Sequence, residues 1–143
     1  MMESDRLIKR LLVAVDGSQQ SYKAVRYASE IAKSTNAAMT LLAVVEVIDA
    51  PELMMADHIN GEKAAMDSAL EEAAEMAISY GVEAKTVIRH GNPADQILRY
   101  AKEEGVDMIV TGSRGRGDAK GLIMGSVSRA VTKRADIPVL IVR

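Results

Sequence analysis

Leu11-Leu12-Val13-Ala14-Val15-Asp16-Gly17-Ser18 is the stretch that decides the fold. Its first five residues are apolar without alternation, the pattern of a short strand covered on both faces, as parallel strands are. Asp16-Gly17 then breaks the run as a turn, and Ser18 is a candidate N-cap. Beyond it, Ala24, Val25, Ala28, Ile31 and Ala32 recur at helical spacing, while Lys23, Arg26, Glu30 and Lys33 take the opposite face. A buried strand feeding directly into an amphipathic helix is the first half of a βαβ unit.

The same alternation continues along the chain. Residues 39–45 form a second apolar run. Residues 46–60 contain Pro51 and Asp57 with no clear period and read as a loop. Residues 61–80 read as a helix with Ala65, Ala69, Leu70, Ala73, Ala77 and Tyr80 on one side and Gly81 as its stop. Residues 84–89 form a third strand. Asn92-Pro93 places an N-cap before a proline at the first helical position, and Ile97, Leu98 and Ala101 form the stripe of a helix ending at Gly105. A fourth strand at 108–111, a glycine-rich segment at 112–125, a helix at 126–134 and a strand at 139–142 complete the order. Strands alternating with helices predict one α/β domain over residues 1–143, with a parallel sheet, helices on both faces and right-handed crossovers.

Composition narrows the function. Apolar residues are 48% and charged residues 27% of the chain, as in a globular protein. With no Trp, no Phe and four Tyr, a flat ligand would have to lie between aliphatic side chains, without aromatic stacking. A net charge of -2 supplies no broad basic field for nucleic acid. Zero cysteines exclude disulfides, thiolate zinc sites and cysteine nucleophiles. The first apolar run is too short to span a bilayer, and a cytoplasmic protein is the expectation.

In open parallel sheets, ligands bind beyond the carboxyl ends of the strands, where the strand order reverses. Two segments stand at such ends, Asp16-Gly17-Ser18 and the glycine-rich residues 112–125. Glycines let successive N–H groups converge on an anion, and Arg114, Arg116 and Lys120 outnumber Asp118 in the second segment. Gly125-Ser126 opens the last helix, whose free N–H groups and dipole favour phosphate. The alternative is a solvated connection. Neither G-x-x-x-x-G-K-[ST] nor a G-x-G-x-x-G after the first strand is present, so neither a P-loop nor a dinucleotide fingerprint is available.

Gly112-x-x-Gly115, nine residues and then Gly125-Ser126 resembles the G-2x-G-9x-G-[ST] signature of ATP-binding universal stress proteins. VAVDGS at 13–18, HGNPADQIL at 90–98, GVDMIVTGSRG at 105–115, GSVS at 125–128 and IPVLIV at 137–142 extend the resemblance over nearly the whole chain. The resemblance implies an open five-stranded, Rossmann-like parallel sheet of order 3-2-1-4-5, with strands one and four side by side. It also implies that Gly112, Gly115, Gly125 and Ser126 hold the phosphates and ribose of ATP, with Val127 adding a backbone N–H. Arg114 stands where the family carries His or Arg, as a candidate phosphate contact. Asp16 would meet the ribose or a nucleotide-bound Mg or Mn. Adenine would lie between Ala14, Val15 and the end of strand two, with backbone hydrogen bonds from Val45. A homodimer through strand 139–142 is the family's way of covering that sheet edge.

The remaining candidates have plainer readings. Asp16 can also simply shape the turn into helix one, and the match to VDGS favours its ligand role over that reading. A phospho-accepting receiver would need an Asp at the end of strand three, where this chain has Arg89-His90. His58 and His90 lack metal-ligand spacing and read as surface or turn residues. Met54-Met55 can cover the adenine or a partner, and the other methionines are core filler. The expected function is a nucleotide-dependent regulator or switch in stress response, read by a protein partner. The alternative is a slow ATPase or phosphotransferase using an Asp16-bound divalent metal. No residue qualifies as the base or water-positioning group that fast phosphoryl transfer needs, so no catalytic residue is assigned.

Overall fold

The computed structural model describes residues 5–47, 51–115 and 124–143. The elements run β1 (Arg10–Ala14), α1 (Gln19–Thr35), β2 (Ala38–Val45), α2 (Glu52–Ser79), β3 (Lys85–His90), α3 (Pro93–Glu103), β4 (Met108–Gly112), α4 (Ser126–Arg134) and β5 (Val139–Val142). They form a five-stranded sheet of order β3-β2-β1-β4-β5, and every pairing in it is parallel. The order reverses between β1 and β4, whose registers align Leu11 with Met108 and Val13 with Val110. This is the order that the resemblance implied.

The period of two along β1 divides the core. Leu11, Val13 and Val15 pack with α1 and α2 through Ala24, Val25, Ala28, Met66, Ala69 and Ala73. Leu12 faces the other way and packs with Ala94, Ile97, Tyr100, Ala101 and Val131 of α3 and α4. Both faces of the central strand are therefore apolar, which is why its sequence shows no alternation. Small residues carry much of this packing, alanines bring helix and sheet close, and Tyr100 is the buried aromatic among these core residues.

The reading of residues 46–60 as a loop is corrected by the structure: α2 begins at Glu52 and runs without interruption to Ser79. Pro51 is the N-cap residue of this helix, a position at which its missing N–H is no loss, and its carbonyl accepts from the N–H of Met55 at 2.8 Å. Leu53, Met54, Met55 and Ala56 are good helix formers. Gly61 lies inside the helix with open space where a side chain would stand, so it is tolerated there and does not start the helix. The buried face also differs by one position. Met66 is buried and Ala65 exposed, because Met66 stands three and four positions before Ala69 and Leu70 and so shares their face. Met54 is 62% exposed and stands on the first turns of α2.

Candidate functional site

β1 ends at a turn that Asp16 and Ser18 build together. Gly17 adopts φ 85°, a conformation that a side chain disfavours. Asp16 Oδ1 accepts from the N–H of Ser18 at 2.9 Å, and Ser18 Oγ accepts from the N–H of Ser21 at 3.1 Å as the N-cap of α1. Ser21 Oγ donates back to the Ser18 carbonyl at 2.9 Å. The structural reading of Asp16 is thus realised by one of its oxygens, and the residue also lines the cavity described next.

A cavity of about 180 Å³ opens above the carboxyl ends of β1, β2 and β4, more than ten times the roughly 10–15 Å³ that one water needs by this measure. Ala14, Leu42, Val44, Met66, Ile97 and Val127 give it aliphatic walls. Of the residues singled out from sequence, Ala14, Val15, Asp16, Gly112, Arg114, Gly115, Ser126 and Val127 line it together. Residues from both sides of the switch point, far apart in the chain, thus converge on one space.

Val45 and Gly125 do not line the cavity. Val45 is fully buried on the α1 and α2 side, and its carbonyl accepts from the N–H of Gly91 at 2.9 Å. Its neighbour Val44 faces the cavity together with Leu42, two positions earlier on β2, as the alternation of a strand requires. Gly125 is buried beneath the start of α4 as its N-cap, and its N–H donates to the Ser113 carbonyl at 2.6 Å. The candidate cations Arg116 and Lys120, with Asp118, lie outside the described residues.

Charge is distributed unevenly around the cavity. Asp16, Glu46 and Glu62 stand on the side of β1, β2 and α2, while Arg114 is the cation among its described lining residues. The attraction for an anion therefore falls largely on backbone N–H groups at the β4 and α4 side. α4 offers them: its first-turn N–H groups have no intrahelical partners, and Gly125 has no side chain to cap them, with no side-chain cap hydrogen bond among the described residues. Tyr22, on α1 near this end, has its phenol pushed above the usual range by burial, reinforced by Glu72 and then by the charge of Asp16.

Two residues that the sequence pattern did not single out hold the neck of the glycine-rich segment. Gln20 Oε1 accepts from Ser113 Oγ at 2.9 Å and from the N–H of Arg114 at 2.6 Å. Ser128 Oγ donates to the Ser113 carbonyl at 2.7 Å. Gly112 is also explained by packing, since a Cβ there would lie 2.9 Å from the Cβ of Gln20 and 3.0 Å from its carbonyl carbon. The first turn of α1 can rest on β4 only where β4 has no side chain.

The model of the universal stress protein family matches residues 7–143. The chain belongs to this family. The universal stress protein YxiE of Bacillus subtilis is 39% identical over 96% of this chain and 100% of its own length. Among solved structures, the universal stress protein UspA from Lactobacillus plantarum superposes with a TM-score of 0.87 at 28% identity, covering 94% of this chain and 97% of its own. A universal stress protein in complex with cAMP gives a TM-score of 0.72 at 28% identity over 95% of this chain and 97% of its own. A family member from Arabidopsis thaliana with AMP bound gives 0.70 at 27% identity over 94% and 90%.

Proposed function

We propose that this chain binds an adenine nucleotide, ATP with Mg or Mn foremost, in the cavity at the β1/β4 switch point and serves in the cytoplasm as a nucleotide-dependent regulator. The observation that carries the reading is the convergence of the Asp16 turn, Gly112 to Gly115 and the uncapped start of α4 on one aliphatic-walled cavity. Its polarity suits a nucleotide. The carboxylates face one side, where the adenine amine and ribose hydroxyls can donate, and the N–H groups of α4 face the other, where phosphate accepts. Two structural neighbours carry AMP and cAMP, which share adenine, ribose and one phosphate group.

The described residues contain no group of three or more His, Cys, Asp or Glu able to hold a metal ion. The residues present fit a divalent ion that keeps waters and is shared between phosphate oxygens and one carboxylate, which is how Mg binds in nucleotide sites. Asp16 would be that carboxylate, and the ion would neutralise phosphate charge. Turnover is expected below about 1 s⁻¹, the lower end of dedicated enzymes, because Asp16, Glu46 and Glu62 stand on the side of β1, β2 and α2, and the β4 and α4 side carries no carboxylate or histidine among its described lining residues.

The test is to denature freshly purified protein, identify any released nucleotide by mass, and titrate the emptied protein with ATP in a calorimeter with and without Mg. Micromolar or tighter binding supports the reading; no release and no binding overturns it. Asp16→Asn keeps an oxygen for the Ser18 N–H and removes only the charge, so the Mg-dependent part of the affinity should fall while the turn persists.

β5 is the edge strand beside β4, and its outer edge offers unpaired backbone groups. Pairing of residues 139–142 with a second copy satisfies them. A monomer in sedimentation at micromolar concentration removes this part of the reading.

A further inference from the structure

Gln20 is the second residue of α1, and nothing in its local sequence marks it. Its side-chain oxygen nevertheless reaches across the switch point to partners 93 and 94 positions away. The peptide unit it meets, between Ser113 and Arg114, is held at both ends. Its N–H donates to Gln20 Oε1, and its carbonyl accepts from the N–H of Gly125 and from Ser128 Oγ. A trans peptide is planar, with N–H and C=O pointing in opposite directions. Fixing the N–H toward α1 therefore aims the carbonyl toward the cap of α4, and a rotation of this unit would break all three bonds together.

Gly125 is the cap whose lack of a side chain leaves the α4 N–H groups open to the cavity, and it is tied to this same carbonyl. Gln20 thus meets, from the opposite side of the sheet switch, the peptide to which that cap is tied. Glutamine suits the task because one amide oxygen has two lone pairs for the two donors and carries no charge to repel phosphate.

We propose that Gln20 is a positioning residue, orienting the Ser113–Arg114 peptide and through it the α4 start, and so setting affinity for the phosphate group of a bound nucleotide. This rests on the nucleotide reading above. Gln20→Met keeps the length of the side chain and removes the oxygen.

In calorimetry, AMP should bind Gln20→Met about tenfold more weakly, the effect of one hydrogen bond to a backbone donor, while adenosine changes less than twofold. Amide hydrogen exchange should show the Arg114 and Gly125 N–H groups losing protection in Gln20→Met and regaining it in Gln20→Glu, whose carboxylate still accepts both bonds. Unchanged AMP affinity, or equal losses for AMP and adenosine, overturns the proposal. If the wild type binds neither ligand, the nucleotide reading fails, and the exchange comparison alone then decides whether Gln20 orients this peptide. Should Gln20→Met not fold, Ser113→Ala removes one of the two donors to Gln20 and should weaken AMP about threefold with adenosine unchanged; no difference there overturns the proposal equally.

Discussion

Helices α1 and α4 both begin beyond the carboxyl end of a strand at the same switch point, yet their starts are opposite in kind. α1 closes itself: Ser18 Oγ accepts from the N–H of Ser21, and Asp16 accepts from Ser18. α4 begins at Gly125 with no side-chain cap, and its first residues line the cavity. α3 sides with α1, since Asn92 accepts from the N–H of Asp95 at 3.0 Å. The difference separates donors that the fold itself satisfies from those that the proposed nucleotide would meet; α2, with Pro51 at its N-cap, also lacks a side-chain cap, but its first residues do not line the cavity. The starts of α1 and α3 are capped by their own side chains, and the start of α4 has no such cap among the described residues.

The sharpest way to break this contrast is at Gly115. Gly115 lines the cavity beside Ser126 and Val127, and on the proposed reading a valine there would crowd the phosphate, so ATP affinity should fall by at least about a hundredfold, more than about 2.7 kcal/mol. Gly115 lies outside regular structure and is half-buried, so the thermal midpoint should hardly move. A valine variant that binds ATP as well as the wild type would mean that the α4 side is not where phosphate sits.

The capped helices should respond in the reverse sense. Ser18→Ala and Asn92→Ala each remove a side-chain cap and should each cost about 1 kcal/mol of stability, a fall of about 4 °C in midpoint for a chain of this size. Adenosine affinity should change little in Asn92→Ala. Thermal unfolding followed by circular dichroism measures both. If either variant leaves stability untouched, self-capping is not what distinguishes these helix starts from that of α4.

Much of this was legible in the chain. Continuous apolar runs located the strands because β1, β2 and β4 are buried on both faces, and Asp16-Gly17-Ser18 declared its turn and cap through local chemistry. The strand order came from the family resemblance, since no local pattern says which strands are neighbours. The first turns of α2 were misread because Pro51 and Gly61, two residues that usually punctuate, here sit where the helix tolerates them. Gln20 and Ser128, the latter quoted only as the end of GSVS, are a different case: each acts on Ser113 through a tertiary contact, and a glutamine or serine on a helix carries no sign of its distant partner. Val44 and Val45 differ only in which face of β2 they occupy, which the continuous apolar run of residues 41–45 does not reveal.

Gly61 offers a smaller test on a helix whose start does not cap the cavity. A Cβ at Gly61 meets nothing within 4 Å, and the residue lies inside α2. Gly61→Ala should therefore stabilise the protein by about 0.5–1 kcal/mol, read as a raised urea midpoint with an unchanged slope. A loop at this position would show no such gain.

The smallest expected effect lies at the far end of α3, where a carboxylate stands against the helix dipole. Glu103 is the last residue of α3, a position whose negative dipole end disfavours an acid. Arg89 on β3 compensates: its Nη2 is 2.9 Å from Glu103 Oε2, and its guanidinium lies 5.0 Å from the centroid of the Tyr100 ring. The hydrogen bond from Arg89 holds the Glu103 carboxyl below its ordinary range. A depressed carboxyl stabilises the fold above its unfolded pKa of about 4.3, and that contribution is lost as pH falls through the lower folded value. Wild type should therefore lose slightly more stability than Glu103→Gln between pH 6 and pH 3, and the two should converge at the acid end. Because the pair is exposed to solvent, the difference should shrink further in high salt. A Glu103→Gln variant whose midpoint follows the wild type at every pH would show that Arg89 is held by the Tyr100 ring alone, and that the end of α3, unlike its start, contributes nothing through its side chains.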